Sequence, residues 1–262
     1  MNALLVLLYG EVRKHLLIAW KYRANTLLRL FTGAFLLVGL FFLMGEGVIN
    51  SVQDSSFFVA FLAWFYAVAP MGAMTYNLRS EMVEGTLEQM AMSPWPISVV
   101  MAGRLLGALL VNTLEVLIIG ISTMLFLHVK LILTGDTLVV VAIILVGVTG
   151  FAYLVSGGVL VFKEFESFIN LFVNVLMLLN GTLYPIERMP TWLKSIALTL
   201  PSTQGIVVLR KMTLGGVSLS GAWQDGSLPW LIVHSLLYLA AGVGIFLWCE
   251  HFARKQGSLG AY

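Results

Sequence analysis

The spacing of charged residues constrains this chain more than any other feature of its sequence, because it leaves long uncharged intervals. Four intervals each contain the roughly 20 residues that a helix needs to cross the hydrocarbon of a membrane; they are 55–78, 137–162, 167–186 and 226–249. Two more, 26–48 and 105–128, are interrupted only by Arg29 and Glu46 in the first and by Glu115 in the second. Lipid offers no partner to backbone hydrogen-bonding groups, and the alternation typical of barrel strands is absent. The six intervals therefore predict six transmembrane helices.

The overall composition supports the same fold class. Only 11% of the residues are charged, 59% are hydrophobic, and the mean hydropathy is +0.94. Soluble proteins keep about a quarter of their residues charged, so a water-soluble globule is excluded. We expect an all-α, polytopic membrane protein with one transmembrane domain over residues 1–262. The net charge of only +2 indicates no nucleic-acid partner.

Motifs that carry chemistry are missing from the sequence. It contains no G-x-x-x-x-G-K-[ST] phosphate loop, no H-E-x-x-H and no G-x-S-x-G nucleophile elbow. Cys249 is the lone cysteine, and the four histidines do not have the spacing of metal ligands. We therefore predict no catalytic residue, no metal site and no cofactor in this chain. Any active transport through it would take its energy from a partner subunit or from an ion gradient.

Basic residues predict the orientation of the spans. Lys and Arg are more frequent in the segments that lie inside if both termini are cytoplasmic. In residues 1–25 the basic residues follow the apolar stretch instead of preceding it, so we expect no cleaved signal. Leu8 and Leu16 lie on one helical face, while Glu11, Arg13 and Lys14 lie mostly beyond it. This pattern predicts an amphipathic helix in the cytoplasmic interface.

The longest cytoplasmic segment between spans, 79–98, carries a group of acidic residues. Glu81, Glu84 and Glu88 follow an i, i+3, i+7 spacing, which places them on one side of a helix. The pattern predicts a short surface helix that stops at the prolines Pro94 and Pro96. The acidic side is either a solvated face of a helix resting on the membrane or a contact for a basic partner surface.

The longest outer segment, 187–225, contains two apolar runs at about 192–200 and 206–214. Both are too short to cross the bilayer. Pro190 and Pro201 are typical of helix starts. We expect a pair of short helices at the outer mouth of the protein.

Polar residues within the spans are the remaining candidates for function. An ionisable group at membrane depth costs about 2.5–3.5 kcal/mol, so Glu115 is a functional candidate, with Asn112 three residues earlier on the same face. This pair either lines a translocation path or bonds a neighbouring helix. Asn170 and Asn174 form a second polar pair, for which helix packing is the favoured interpretation.

The order of these elements, together with two motifs, resembles the membrane subunit of ATP-binding cassette exporters of the type-2 permease family. The first motif is the cytoplasmic stretch RSEMVEGTLE at 79–88, followed by Ser93 and Pro94. It is similar to the stretch between the second and third spans of that family, where a coupling helix contacts the ATPase. The second motif runs from Tyr184 to Pro190 and continues with Trp192, Leu193, Pro201, Leu209 and Arg210. It is similar to the outer helices between the last two spans, and the likeness covers nearly the whole chain.

The resemblance implies a six-span exporter subunit in a bacterial inner membrane, with both termini cytoplasmic. Such a permease pairs with a second permease copy, equal or different, and with two copies of an ABC ATPase subunit that holds ATP and Mg. Its cargo would be a hydrophobic or amphipathic molecule, such as a drug, a lipid or a lipid-linked saccharide. The resemblance assigns the ATPase contact to Glu81, Glu84, Gly85, Thr86, Leu87 and Glu88, and a smaller cytoplasmic contact to Lys163, Glu164 and Glu166.

Two other functions remain open at the level of sequence. One is a secondary transporter driven by protons or sodium, in which Glu115 is the titrating group. The other is a membrane scaffold that transports nothing and recruits a cytoplasmic protein through its acidic helix. A stoichiometric ATPase that co-purifies with the chain would favour the exporter over both.

Overall fold

The computed structural model describes residues 3–44, 52–129, 134–162, 166–184 and 186–256. In these segments the regular structure is helical, and they contain no strand. The helices are α1 Ala3–Lys21, α2 Arg23–Met44, α3 Val52–Val83, α4 Leu87–Ala91, α5 Ile97–Leu127, α6 Gly135–Val161, α7 Glu166–Leu179, α8 Thr191–Thr199, α9 Pro201–Thr213, α10 Leu219–Gln224 and α11 Ser227–Lys255. The all-α membrane fold predicted from the uncharged intervals is confirmed.

Five helices within the described residues are long and apolar enough to cross a membrane: α2, α3, α5, α6 and α11. The fifth predicted span, 167–186, is not one continuous helix. Its helical part is α7, which has 14 residues and ends at Leu179. At about 1.5 Å per residue α7 is shorter than the hydrocarbon core. The chain leaves the helix at Asn180 and turns at Gly181, whose φ of +83° is in the left-handed region that glycine adopts readily.

Helix α6 lies at the centre of the bundle and packs most extensively against α11. The two backbones meet at glycines: a Cβ atom added to Gly242 would lie 1.8 Å from the carbonyl oxygen of Gly150. Close approach at small residues is how helices gain packing energy in lipid, where a hydrophobic driving force between them is missing. Helices α3 and α9 also pack against α6.

The two ends of the bundle carry different short helices. At one end, here called the α4 end, α3 finishes, α4 follows, α5 begins and α11 finishes. Met82, Leu87, Met90 and Ile97 are buried in one core cluster at this end. At the opposite end, here called the α9 end, α8 and α9 lie where two short helices were expected, with Pro190 as the N-cap of α8 and Pro201 in the first turn of α9.

The N-terminal helix α1 packs along the first half of α5. Its contacts fall at two glycines of α5: a Cβ atom at Gly103 would lie 3.2 Å from Glu11 Cβ, and one at Gly107 would lie 2.9 Å from His15 Cβ. The sequence pattern placed Glu11 among the polar residues beyond the apolar face. That expectation is wrong, because Glu11 faces α5, where a cation lies close to it.

Candidate functional site

The acidic stretch between α3 and α5 is not one helix. Residues Arg79–Val83 continue α3, the chain turns at Glu84 and Gly85, and α4 begins at Leu87. Gly85 has a φ of +70°, and its N–H donates to the carbonyl of Met82 at 3.2 Å. This is the position after a helix end at which glycine is strongly preferred, since it adopts the left-handed conformation without steric cost. The expectation that Glu81, Glu84 and Glu88 share one helical face is therefore wrong.

Glu81 faces the interior of the α4 end and binds Arg104 of α5. The distance from Arg104 Nη2 to Glu81 Oε1 is 2.6 Å, and the two side chains are only 9% and 18% exposed. Thr86 also donates its hydroxyl hydrogen to the Glu81 carboxylate. On its other side Arg104 approaches α1, where its Nε lies 3.6 Å from the Glu11 carboxylate. One buried guanidinium thus joins α1, α3 and α5 immediately beside α4.

The other end of α4 is held by α11. Arg254 donates to the carbonyl oxygen of Ala91, the last residue of α4, at 3.3 Å. The same guanidinium donates to Glu250 Oε1 at 2.7 Å. A cation at a helix C-terminus satisfies carbonyl groups that lack a partner within the helix and interacts favourably with the helix dipole. Together, Arg104 and Arg254 link the surroundings of α4 to α1, α3, α5 and α11.

The exposed surface around α4 is acidic and partly apolar. Glu84 and Glu88 are exposed, and so are Val83 and Met92, at 62% and 77%. The Ser80 hydroxyl donates to Glu84 at 2.6 Å. The exposure of Val83 and Met92 was not predicted from sequence, because apolar side chains are expected to be buried. We call Val83, Glu84, Glu88 and Met92 the α4 surface.

Two residues assigned to the ATPase contact face inward in this structure. Leu87 is completely buried in the core cluster of the α4 end, and Glu81 is bound to Arg104 as described. Gly85 is exposed beside Glu84, and Thr86 is half-buried. The structure therefore brings Glu84, Gly85 and Glu88 to the surface of the coupling stretch. Leu87 and Glu81 support that surface from beneath.

The three residues predicted to form a smaller cytoplasmic contact fall largely outside the described part of the chain. Lys163 and Glu164 lie outside the described residues. Glu166 is the first residue of α7, and its side chain is not among those described. The smaller contact that the resemblance assigns to these three residues stays a prediction.

The polar residues of α5 lie apart from the α4 surface, in the middle of the bundle. Glu115 is buried, and its Oε2 accepts a hydrogen bond from Arg29 Nη2 of α2 at 2.7 Å. Asn112 is also buried, one helical turn earlier on the same side of α5. Arg29 reaches Glu115 from α2, so a cation and an anion from different spans neutralise each other.

The polar pair on α7 differs from the pair on α5 because both of its members are exposed. Asn170 accepts a hydrogen bond from the hydroxyl of Tyr76 at 3.3 Å, and Asn174 lies one turn further along α7. Neither asparagine approaches the Arg29–Glu115 pair closely enough for a described hydrogen bond. The structure therefore does not assemble the four predicted polar residues into one site.

The α9 end has charged contacts of its own. Arg210 donates to the carbonyl of Gly181 at 2.7 Å and to that of Ser56 at 3.3 Å, and so holds the turn after α7 against α3. Lys211 donates to Asp225 at 2.9 Å. That bond, followed by hydrogen bonds from Ser227, lowers the pKa of Asp225 below its ordinary value.

Comparison with protein-family models identifies the family of this chain. The model of the ABC-2 type transporter family matches residues 7–214, which include most of α1, the α4 stretch, the polar pair on α5 and the short helices α8 and α9. The chain belongs to the ABC-2 type transporter family. The family resemblance found in the sequence motifs is thereby confirmed.

Individual relatives are consistent with the family assignment. The chain is 29% identical over 184 residues to a protein named probable multidrug ABC transporter permease YbhR from Escherichia coli K12. The protein of the same name from Escherichia coli O157:H7 matches to the same extent. The aligned region is 67% of this chain and 49% of each relative, so the chain spans about half the length of the curated relatives that it matches.

Proposed function

We propose that this ABC-2 type transporter chain is the permease subunit of an ATP-driven exporter, and that the α4 surface receives force from a separate ATPase subunit. The observation that carries the proposal is the attachment of α4 to the bundle. Beneath α4 lies a packed core with Leu87 and Met90. Arg254 of α11 bonds to the last residue of α4, and the N-cap residue Thr86 bonds to Glu81, which Arg104 holds against α5. A displacement of α4 is therefore passed to several spans, where a flexible loop would absorb it.

The charge and the apolar side chains of the α4 surface suit a particular kind of protein partner. Exposed carboxylates at Glu84 and Glu88 suit a basic surface, and Val83 and Met92 add apolar area that association with a partner would bury. Charge complementarity of this kind favours encounter and fixes the register of two surfaces. The apolar pair gives the association the buried centre that protein interfaces need.

The proposed complete transporter contains the further subunits that the family resemblance implies. Two ATPase subunits would bind ATP and Mg, and a second permease copy would complete the transport path. Closure of the ATPase pair would move both α4 helices and change the access of the path between the two sides of the membrane. The cargo would be a hydrophobic or amphipathic molecule, moved outward. The α4 end and both termini would face the cytoplasm, and α8, α9 and α10 would lie outside a bacterial inner membrane.

The alternative of a proton- or sodium-driven transporter has less support. It needs a carboxylate that changes protonation during transport, and the sequence offers Glu115 for that role. In the structure Glu115 is bound to the guanidinium of Arg29 at 2.7 Å. To take up a proton, Glu115 would have to give up this ion pair and leave the Arg29 guanidinium without its counter-ion.

Reversing the charge of the α4 surface tests the proposal. We expect the double variant Glu84→Arg and Glu88→Arg to lose co-purification with the ATPase subunit, stimulation of ATP hydrolysis and export from proteoliposomes. Both side chains are exposed, so the variant should insert into the membrane and unfold like the wild type. Ser220→Arg with Gln224→Arg on α10 is the matched control, because it adds two cations to exposed positions of the α9 end. Normal ATPase binding and normal export in the α4 variant would refute the role of this surface.

A further inference from the structure

A groove of about 460 Å³ runs between α2 and α3 and reaches α5, away from the α4 surface. Its apolar lining includes Leu28 and Leu36 of α2 and Phe65 and Val68 of α3. Its volume is in the range of sites that hold small molecules. In a membrane-spanning bundle such a groove is accessible to molecules dissolved in the lipid.

Two buried polar groups line this groove without satisfying their hydrogen bonds. Asn112 is 2% exposed, and among the described residues neither its amide nitrogen nor its amide oxygen has a partner. The indole nitrogen of Trp64, also in the lining, has none in the same part of the chain. Buried polar groups are nearly always hydrogen-bonded, and at membrane depth water is not there to take the place of a partner. These two side chains therefore offer a ligand two donor groups, the amide and indole nitrogens, and one acceptor, the amide oxygen, while Asn25 and Thr32 of α2 add polar side chains to the same lining.

The charge of the groove restricts that ligand further. Arg29 lies in the lining, but its guanidinium is bound to the Glu115 carboxylate at 2.7 Å, so the pair carries no net charge. Because the pair is neutral as a whole, it supplies no excess charge to balance a charged head group. In a medium of low dielectric constant a charged ligand would therefore add a charge without a counter-ion, which is costly. An uncharged ligand avoids that cost.

We propose that this groove binds an uncharged amphiphile dissolved in the membrane. The apolar body of the ligand lies along Leu28, Leu36, Phe65 and Val68. A head group that both donates and accepts hydrogen bonds, such as a hydroxyl or an amide, bonds Asn112 and Trp64. The proposal depends on the membrane fold and on this groove, and it does not depend on the contact between α4 and an ATPase.

Photolabelling of the full chain in phosphatidylcholine nanodiscs tests the site. The probe is a monoacylglycerol with a diazirine in its acyl chain, and labelled peptides are located by mass spectrometry. We expect labelling to concentrate on peptides of α2 and α3 next to the groove. Unlabelled monoacylglycerol should compete at least tenfold better than dodecyltrimethylammonium or dodecyl phosphate. Labelling spread evenly over the lipid-facing helices, or equal competition by the charged amphiphiles, would overturn the proposal.

Two variants separate binding from folding. Asn112→Leu should weaken binding about tenfold, the usual effect of losing a hydrogen bond, and should not lower the thermal unfolding midpoint, because it removes a buried group without a partner. Leu36→Trp should block the groove without changing its polar groups. Asn174→Leu on α7 and Leu43→Trp near the end of α2 are the matched controls outside the groove. The site is wrong if Asn112→Leu destabilises the chain while labelling stays normal, or if Leu36→Trp leaves labelling unchanged.

Discussion

At the scale of single residues, the side chain of Arg104 best illustrates how this fold uses charge. It is 9% exposed and lies between two carboxylates, Glu81 at 2.6 Å and Glu11 at 3.6 Å. In a helix that begins at Ile97, Arg104 lies about two turns inside and is buried. Its partners are 23 and 93 positions away along the chain, so local periodicity could not identify them. The same holds for Arg29 and Glu115, which are 86 residues apart.

Removing the charge of Arg104 tests its role at this scale. Arg104→Gln leaves two partly buried carboxylates without their cation, and breaking a buried pair in this way costs about 3–5 kcal/mol. We expect a clearly lower thermal unfolding midpoint in detergent. Arg104→Lys should lie between this variant and the wild type, because lysine keeps the charge but lacks the planar fork that two carboxylates can share.

A second change restores the balance of charge and serves as the control. Glu81→Gln added to Arg104→Gln removes the carboxylate that bonds most closely to Arg104, so the double variant should regain part of the lost stability. If Arg104→Gln unfolds at the same temperature as the wild type, the guanidinium does not hold α1, α3 and α5 together.

At the scale of elements, the close contact between α6 and α11 depends on glycine. A Cβ atom at Gly242 would overlap the backbone of Gly150, whereas one at Gly244 on the same helix would meet nothing within 4 Å. We expect Gly242→Ala to destabilise the chain by about 1–3 kcal/mol, the usual cost of overpacking. Gly244→Ala is the internal control and should be neutral or slightly stabilising, because alanine is the better helix former. Equal unfolding midpoints for the two variants, measured in the same detergent, would contradict this packing.

The elements also show which parts of the fold the sequence predicts. Long uncharged intervals predict where helices such as α3, α6 and α11 lie, because the cost of charge in lipid acts along the chain at every residue. Periodicity failed at 79–88, where Gly85 ends α3 and the acidic pattern continues across the break. It also failed to show that Leu87 is buried, since the core beneath α4 is built from α3 and α5. Gly85, two residues after Val83, was the available signal for that helix end.

At the scale of the whole molecule, the bundle has two ends that differ in chemistry. The α4 end presents exposed carboxylates around a short helix that packs against α3 and accepts a hydrogen bond from α11. The α9 end presents short helices held by Arg210 and by the Lys211–Asp225 pair. A permease that receives force on one side of the membrane and releases cargo on the other needs such a difference. The proposed function therefore requires the two ends to face opposite sides.

Single cysteines can locate the two ends because the chain has one cysteine, Cys249, which is buried. In a Cys249→Ser background, Gln89→Cys places a thiol on the exposed side of α4, and Gln224→Cys places one at the exposed end of α10. In right-side-out bacterial spheroplasts, a membrane-impermeant maleimide should label the thiol on α10 within minutes and should leave the thiol on α4 unlabelled until the membrane is broken. Inverted vesicles provide the control and should reverse the order, because the same two thiols exchange their access to the reagent. Labelling of both thiols from one side would mean that α4 and α10 share a membrane face, and the α4 surface could then not receive force from a cytoplasmic ATPase while the α9 end opens to the outside.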